Sequence, residues 1–283
     1  MSRADKGYLV FDIESISDID LIARVRHPLG EVTPEEALRI FQAEQLEKRG
    51  SDFIPFTYQV PVSLVIFRLA PDFSLTEVKV LRWEDGGPKK IAEEFWTYWQ
   101  NVGCPTFVTF NGRGFDLPLM EMMAFRYGIP LPRWFCSDGF GVPRSRYKTD
   151  SHFDLYEFLS NFGATAIAGG LNLVSKVLGK PGKINSHGDM VHEMFEAGRF
   201  KEIHEYCFCD VLDTYAVLLR CKLLTGEILP EREKDLLTEL RNYLAARREK
   251  TPICGIYLDS WSASENAPTI DSRLARLVPT ETD

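Results

Sequence analysis

An apolar run, Tyr8-Leu9-Val10-Phe11, passes directly into Asp12-Ile13-Glu14-Ser15. Side chains on a strand alternate faces, so Asp12 and Glu14 share one side while Phe11 and Ile13 take the other. Two like charges so placed repel each other unless something cationic lies between them; a strand end running into a polar loop is the plainer account. After a segment containing Pro28, Gly30 and Pro34, the spacing of Ala37, Leu38, Ile40, Phe41 and Leu46 predicts a helix over residues 34–50, capped by Thr33. Alternation at Val60, Val62, Leu64 and Ile66 predicts a strand over 59–70, and 77–83 predicts another beyond the turn Pro71-Asp72. With the first run these make a three-strand meander.

The pattern then changes period. Residues 89–100 read as a helix through Ile91, Phe95 and Trp99, and 105–110 as a short β-rich run broken by Asn111-Gly112. Leu117, Leu119, Met120, Met123 and Phe125 predict a helix with Asp116 in its first turn, where a cap favoured by the helix dipole is one sufficient role for an aspartate. His152-Phe153-Asp154-Leu155-Tyr156 reads as the opening of a helix that runs to Ser160, with Asp154 a cap or a supporting group. A short amphipathic helix follows Gly169-Gly170 and ends at Gly179-Lys180-Pro181-Gly182-Lys183, a lysine-flanked turn that could touch phosphate but lacks Walker spacing. Helices are predicted over 200–224 and 231–250, and beyond Thr251 the tail reads as irregular, with Trp261 packed somewhere.

Composition narrows the class. The 283 residues are 45% hydrophobic and 26% charged, enough for a substantial buried core, and no apolar run approaches the roughly 18 residues of a membrane span. The first six residues lack a signal-peptide core, so a cytoplasmic protein without membrane contact is expected. Six cysteines without framework spacing fit reduced thiols, and Cys207 and Cys209 with His204 fall short of the four ligands of a closed zinc site. A net charge of −8 argues against coating nucleic acid by bulk attraction, but metal-bound carboxylates would reverse the local field. Locally, Arg113, Arg126, Arg133, Arg144, Arg146 and Lys148 outnumber Asp116, Glu121 and Asp138, and Trp134, Phe135, Phe140 and Tyr147 lie among them. Aromatic and basic residues so mixed suit a single strand, stacking bases beside phosphate contacts; solvated loop charges are the alternative.

A third cluster of chemistry is Tyr206-Cys207-Phe208-Cys209-Asp210. Residues four apart share a helical face, which sets the Tyr206 phenol beside the Asp210 carboxylate, with Asp213 three residues further along. Asp12-x-Glu14, then Asn111 to Phe115-Asp116, then Tyr206-x-x-x-Asp210 resemble, in order and separation, the three motifs of the DEDD 3′-5′ exonuclease superfamily. The tyrosine places the resemblance in the DEDDy branch. The blocks Thr109 to Asp116 and Tyr206 to Tyr215 are most similar to stand-alone bacterial proteins related to the proofreading domain of family-B DNA polymerases.

The resemblance spans roughly Tyr8 to Leu224, departs at the insertion over 16–58, and leaves the role of the tail unaddressed. It implies an α/β fold, a ribonuclease-H-like mixed sheet of meander plus parallel strands flanked by helices, forming one domain over 1–225. Residues 226–283 are expected to pack on that domain as a helix and irregular tail. It implies Asp12, Glu14, Asp116 and Asp210 as ligands of two divalent ions, Mg²⁺ or Mn²⁺, with Tyr206 orienting the attacking water. Asn111, Phe115, Arg113, Arg144, Arg146 and Lys148 are the candidate substrate contacts. The implied activity removes 5′-monophosphates from single-stranded 3′ ends, of DNA before RNA, in the company of replication or repair proteins. RNA trimming on the same site is one alternative, and a catalytically silent binding module another, although none of the four carboxylates is missing.

Overall fold

The computed structural model describes residues 6–137, 141–184 and 190–265. A five-stranded mixed sheet in the order β3-β2-β1-β4-β5 carries helices on both faces. Strand β1 (Tyr8–Ser17) pairs antiparallel with β2 (Gln59–Leu69), and β2 with β3 (Leu75–Arg82), which is the expected meander. On its other side β1 pairs in parallel with β4 (Thr106–Thr109), and β4 with β5 (His152–Asp154). Because both faces are covered, β2 is almost continuously apolar, as a central strand of a two-sided sheet must be.

One face packs against α3 (Gly87–Asn101) and α4 (Asp116–Tyr127), where Phe11, Leu64 and Ile66 meet Phe95, Trp96, Trp99, Met120 and Met123. The other packs against α9 (Phe200–Leu224), where Val10, Val65 and Phe67 meet Val211, Leu212 and Tyr215. The register of β1 against β2 shifts between Glu14 and Ser15, a bulge that moves Ile16 to the same face as Ile13. Pro61 sits opposite Ser15 at that irregularity, where a missing N–H costs no ladder bond.

The insertion folds as two helices on a small core of their own. The α1 helix (Ile19–Arg26), which the sequence pattern did not single out, is capped by Asp18, and α2 (Pro34–Arg49) opens on a reciprocal Thr33–Glu36 capping box and stops at Gly50 with φ 71°. Ile22, Ala37, Leu38, Phe41 and Ile54 join them, and an Arg126–Asp18 ion pair of 2.6 Å ties the unit to α4.

Three expectations are corrected. His152, Phe153 and Asp154 form strand β5, and the helix begins only at Leu155 as α6 (Leu155–Leu159), because parallel pairing with β4 captures a segment too short to show a period. After α5 (Pro132–Phe135), α7 (Gly170–Val177) and α8 (Val191–Glu196), helix α10 (Pro230–Ala245) ends short of residue 250. The tail expected to be irregular beyond Thr251 instead forms α11 (Pro252–Glu265), which buries Cys254, Tyr257 and Trp261 in the α9-side core. The cations of Lys180 and Arg241 lie 4.1 and 4.2 Å from the Trp261 ring centre. Among the described residues no helix is long and apolar enough to cross a membrane.

Candidate active site

Asp12 and Glu14 project from β1 toward α9, the face their alternation assigns them. Each is raised well above the usual carboxylate range, first by burial and then by one another's company. Asp12 feels the charges of Asp116, Glu14 and Asp210; Glu14 feels those of Asp210 and Asp116. The three motifs therefore meet in one place.

Asp116 reaches it through the turn that follows β4. Asn111 adopts φ 66°, and Gly112 N–H donates to Thr109 Oγ1 at 3.2 Å. A Cβ on Gly112 would lie 2.5 Å from that same oxygen, so the turn is closed to larger residues. Asp154 holds the turn from below: its carboxylate accepts from Asn111 N–H at 3.0 Å and Arg113 N–H at 2.8 Å while capping α6 through Tyr156 and Glu157. Asp116, 5% exposed, is pushed up to about 7, chiefly by burial, and its Oδ1 has no hydrogen-bond partner.

Asp210 and Tyr206 stand side by side on α9. The phenol donates to the carboxylate, and burial followed by the surrounding acids raises the tyrosine far above its ordinary value. Asp210 is pushed up to about 6 by burial, held back by Lys183 and by Tyr206. Lys183 belongs to the lysine-flanked turn, whose spacing does not connect it with Tyr206. Its ammonium lies 5.9 Å from the Tyr206 ring centre and lowers both Glu14 and Asp210. Asn172 Oδ1 accepts from Lys183 N–H at 2.9 Å, and α7 thereby presents the residue. Lys180, the other lysine of that turn, is buried beneath Trp261 and cannot greet a phosphate.

Cys207 completes a set with Asp12 and Glu14 whose ligand atoms lie within 4.8 Å of one another. Its thiol is raised by burial and donates to Asp12 O at 3.3 Å, so it packs as a neutral group. Cys209 and His204 do not join it in a zinc site: His204 bonds Ser63 and Glu84. Asp213 also leaves the cluster, accepting the Tyr257 hydroxyl at 2.6 Å. An unpartnered carboxylate oxygen and four acids gathered in one place, relieved among the described residues by Lys183, are what hard divalent cations with oxygen ligands fit.

The expected substrate contacts sit beside this cluster. Asn111, Arg113, Arg144 and Arg146 line a cavity of about 610 Å³ whose walls include none of the four carboxylates. Its arginines are engaged: Arg113 and Arg146 with Glu157 at 2.6 and 3.2 Å, Arg144 with Glu121 at 2.9 Å. Arg126 is spent on Asp18 and Arg133 donates to Cys104 Sγ. Lys148 Nζ donates to Gly141 O. Trp134 is buried, donating to Glu121, and offers no stacking face to a base; Tyr147 remains 79% exposed beside Phe162. Phe115 packs with Phe53 from the insertion at 5.6 Å between ring centres. Asp138 and Phe140 lie outside the described residues.

No match to this chain was found among curated proteins. A family model described as predicted 3′-5′ exonucleases related to the exonuclease domain of PolB matches residues 51–261. The matched span contains Asp116, Tyr206 and Asp210, begins after Asp12 and Glu14, and runs through α10 into α11. With most of its length matched and a mixed sheet bringing its acidic motifs together, the chain belongs to this family of predicted PolB-related 3′-5′ exonucleases.

Proposed function

We propose that the chain hydrolyses single-stranded nucleic acid from its 3′ end, DNA before RNA, releasing nucleoside 5′-monophosphates. The observation that carries this reading is the convergence of Asp12, Glu14, Asp116 and Asp210 around one buried point, with Asp116 Oδ1 left unbonded. These four would hold two divalent ions, Mg²⁺ or Mn²⁺. Such ions, when bound, supply Lewis-acid stabilisation to the attacking and leaving oxygens of a phosphodiester.

The remaining chemistry belongs to the side chains. Tyr206, kept neutral by burial and by its acidic neighbours, retains the proton it gives to Asp210, and the hydroxyl would turn from that carboxylate to hold a water in line once Asp210 is engaged by an ion. Lys183 offsets negative charge that a phosphate brings to an acidic cluster. Asn111 and Phe115 stand at the turn that delivers Asp116, where a terminal nucleotide would rest. Arg113, Arg144 and Arg146, which line the neighbouring cavity, and Lys148 would meet the preceding nucleotides. Replication or repair proteins remain the expected company for such an activity.

The deciding experiment uses 5′-labelled single-stranded DNA and RNA of one sequence, and a covalently closed DNA circle, with Mn²⁺ or with chelator. Stepwise shortening of the linear strands, survival of the circle, and loss of activity in chelator or in Asp12→Ala are expected. Activity in chelator sinks the metal reading, nicking of the circle sinks the exonuclease reading, and faster cleavage of RNA reverses the substrate order.

A further inference from the structure

The turn from Gly179 to Lys183 holds two lysines with opposite surroundings. Lys180 is buried, whereas Lys183 is exposed, with its ammonium 5.9 Å from the Tyr206 ring centre. Among the described residues Lys183 closes no ion pair, although its charge lowers both Glu14 and Asp210. A cation drawn to two acids and paired with neither is left to meet a further anionic group. Where it stands is set by the turn.

Helix α7 shapes that turn. Lys180 N–H donates to Ser175 O at 2.9 Å, Lys176 Nζ to Pro181 O at 2.8 Å, and Lys183 N–H to Asn172 Oδ1 at 2.9 Å. Shape alone does not seat it, since Ser175 is the only buried residue of α7. The seat is α11. Lys180 Nζ lies 4.1 Å from the Trp261 ring centre and 3.9 Å from the Glu265 carboxylate, the partners that let a lysine be buried at all. Tyr257, one helical turn before Trp261, donates to Asp213 at 2.6 Å, and Asp213 lies one turn beyond Asp210 on α9. One helix thus grips both the lysine turn and the helix that carries Tyr206 and Asp210.

We propose that Trp261 is a positioning residue: through Lys180 it holds the turn against α11, at the place from which Lys183 meets a phosphate of the strand being cut. The inference rests on the nuclease reading above, and it gives the C-terminal helix a part in the site although α11 supplies none of the four carboxylates.

The full-length chain is melted to establish folding, its amide exchange is followed through the turn, and kcat/KM is measured on 5′-labelled single-stranded DNA with Mn²⁺. Lys183→Ala is expected to lower kcat/KM by about 10- to 100-fold, the range for one hydrogen bond to a charged group. Trp261→Ala is expected to approach that loss and to add little to it when combined with Lys183→Ala, because both act on one contact. It is also expected to speed exchange of the Lys180 and Lys183 amides while those of α9 stay protected. Should Trp261→Ala not fold, Lys180→Ala, which leaves the α9-side core intact, takes its place with the same outcomes expected. Wild-type kcat/KM in the folded variant, unchanged exchange in the turn, or losses that multiply in the double variant overturn the inference. A wild-type chain that leaves the strand uncut overturns the nuclease reading and this inference together, and is recognised before any variant is made.

Discussion

Tyr206 differs from the acids around it in keeping its proton throughout the neutral range, where theirs come off. Burial and the charges of Asp210, Glu14 and Asp12 hold that proton in place, so the phenol remains a donor at any pH the protein meets. Tyr206→Phe removes the donor and leaves the ring on α9 beside Lys183. Turnover is expected to slow by about 10- to 1,000-fold, the range for losing one well-placed hydrogen bond, while Mn²⁺ and oligonucleotide binding persist. Single-turnover kinetics beside a binding titration will check it; a variant impaired only in metal affinity contradicts the role. The motifs made these residues visible in advance. The lysine-flanked turn was visible as a phosphate candidate, but its place beside Tyr206 was not, because an Asn172 bond that no spacing announces carries Lys183 there.

At the scale of the element, the turn after β4 is the most constrained piece of the site. Thr109 Oγ1 serves Gly112 N–H and His152 Nε2 together, and Asp154 on β5 holds the amides on either side, those of Asn111 and Arg113. Gly112→Ala forces a methyl group to within 2.5 Å of the buried Thr109 side chain. Overpacking of this kind costs about 1 to 3 kcal/mol, and the turn can relieve it only by carrying Asp116 away from Asp12 and Glu14. A lower melting temperature and a loss of activity larger than the loss of folded protein are expected. Equal activity per folded molecule would show that the turn does not position Asp116. The glycine and the asparagine were legible as a strand break. That the turn leans on β5 was not, because β5 is a three-residue strand recognisable only once β4 lies beside it.

For the whole molecule, burying acids together makes stability depend on pH. A carboxyl with a raised folded pKa binds its proton more tightly in the folded chain; the stability this provides is complete below its ordinary pKa and is lost as pH rises through the folded value. Asp116 and Asp213, pushed up to about 7, and Asp210, up to about 6, place that loss in the neutral range, with Asp12 and Glu14 raised in the same sense. Buried His152, held well below its ordinary range, acts oppositely below about pH 6.5, and Lys180, lowered to about 8, acts oppositely above that value. In chelator, the melting temperature is therefore expected to fall between about pH 5 and pH 7, where these acids together outweigh His152, and less steeply in Asp116→Asn. Saturating Mn²⁺ is expected to remove most of the fall, since an ion bound only by the folded chain offsets the repulsion. A metal-free melting temperature that rises across that window counts against the buried cluster.

Local pattern determined a great deal of this protein. Alternation set the faces of Asp12 and Glu14, helical spacing paired Tyr206 with Asp210 and bounded α9, the Thr33 cap and Gly50 placed α2 within a residue of its ends, and Asp116 marked the first turn of α4. These are properties of short stretches, and short stretches carry them. What tertiary structure decided is everything that depends on two stretches meeting. Parallel pairing turned His152 to Asp154 from helix start to strand; packing on α9 and α10 gave the tail its helix; ion pairs with Glu121 and Glu157 took up arginines that the chain lists as free cations. Charge, burial and hydrogen-bond supply are shared between neighbours in space, and only the fold says who the neighbours are.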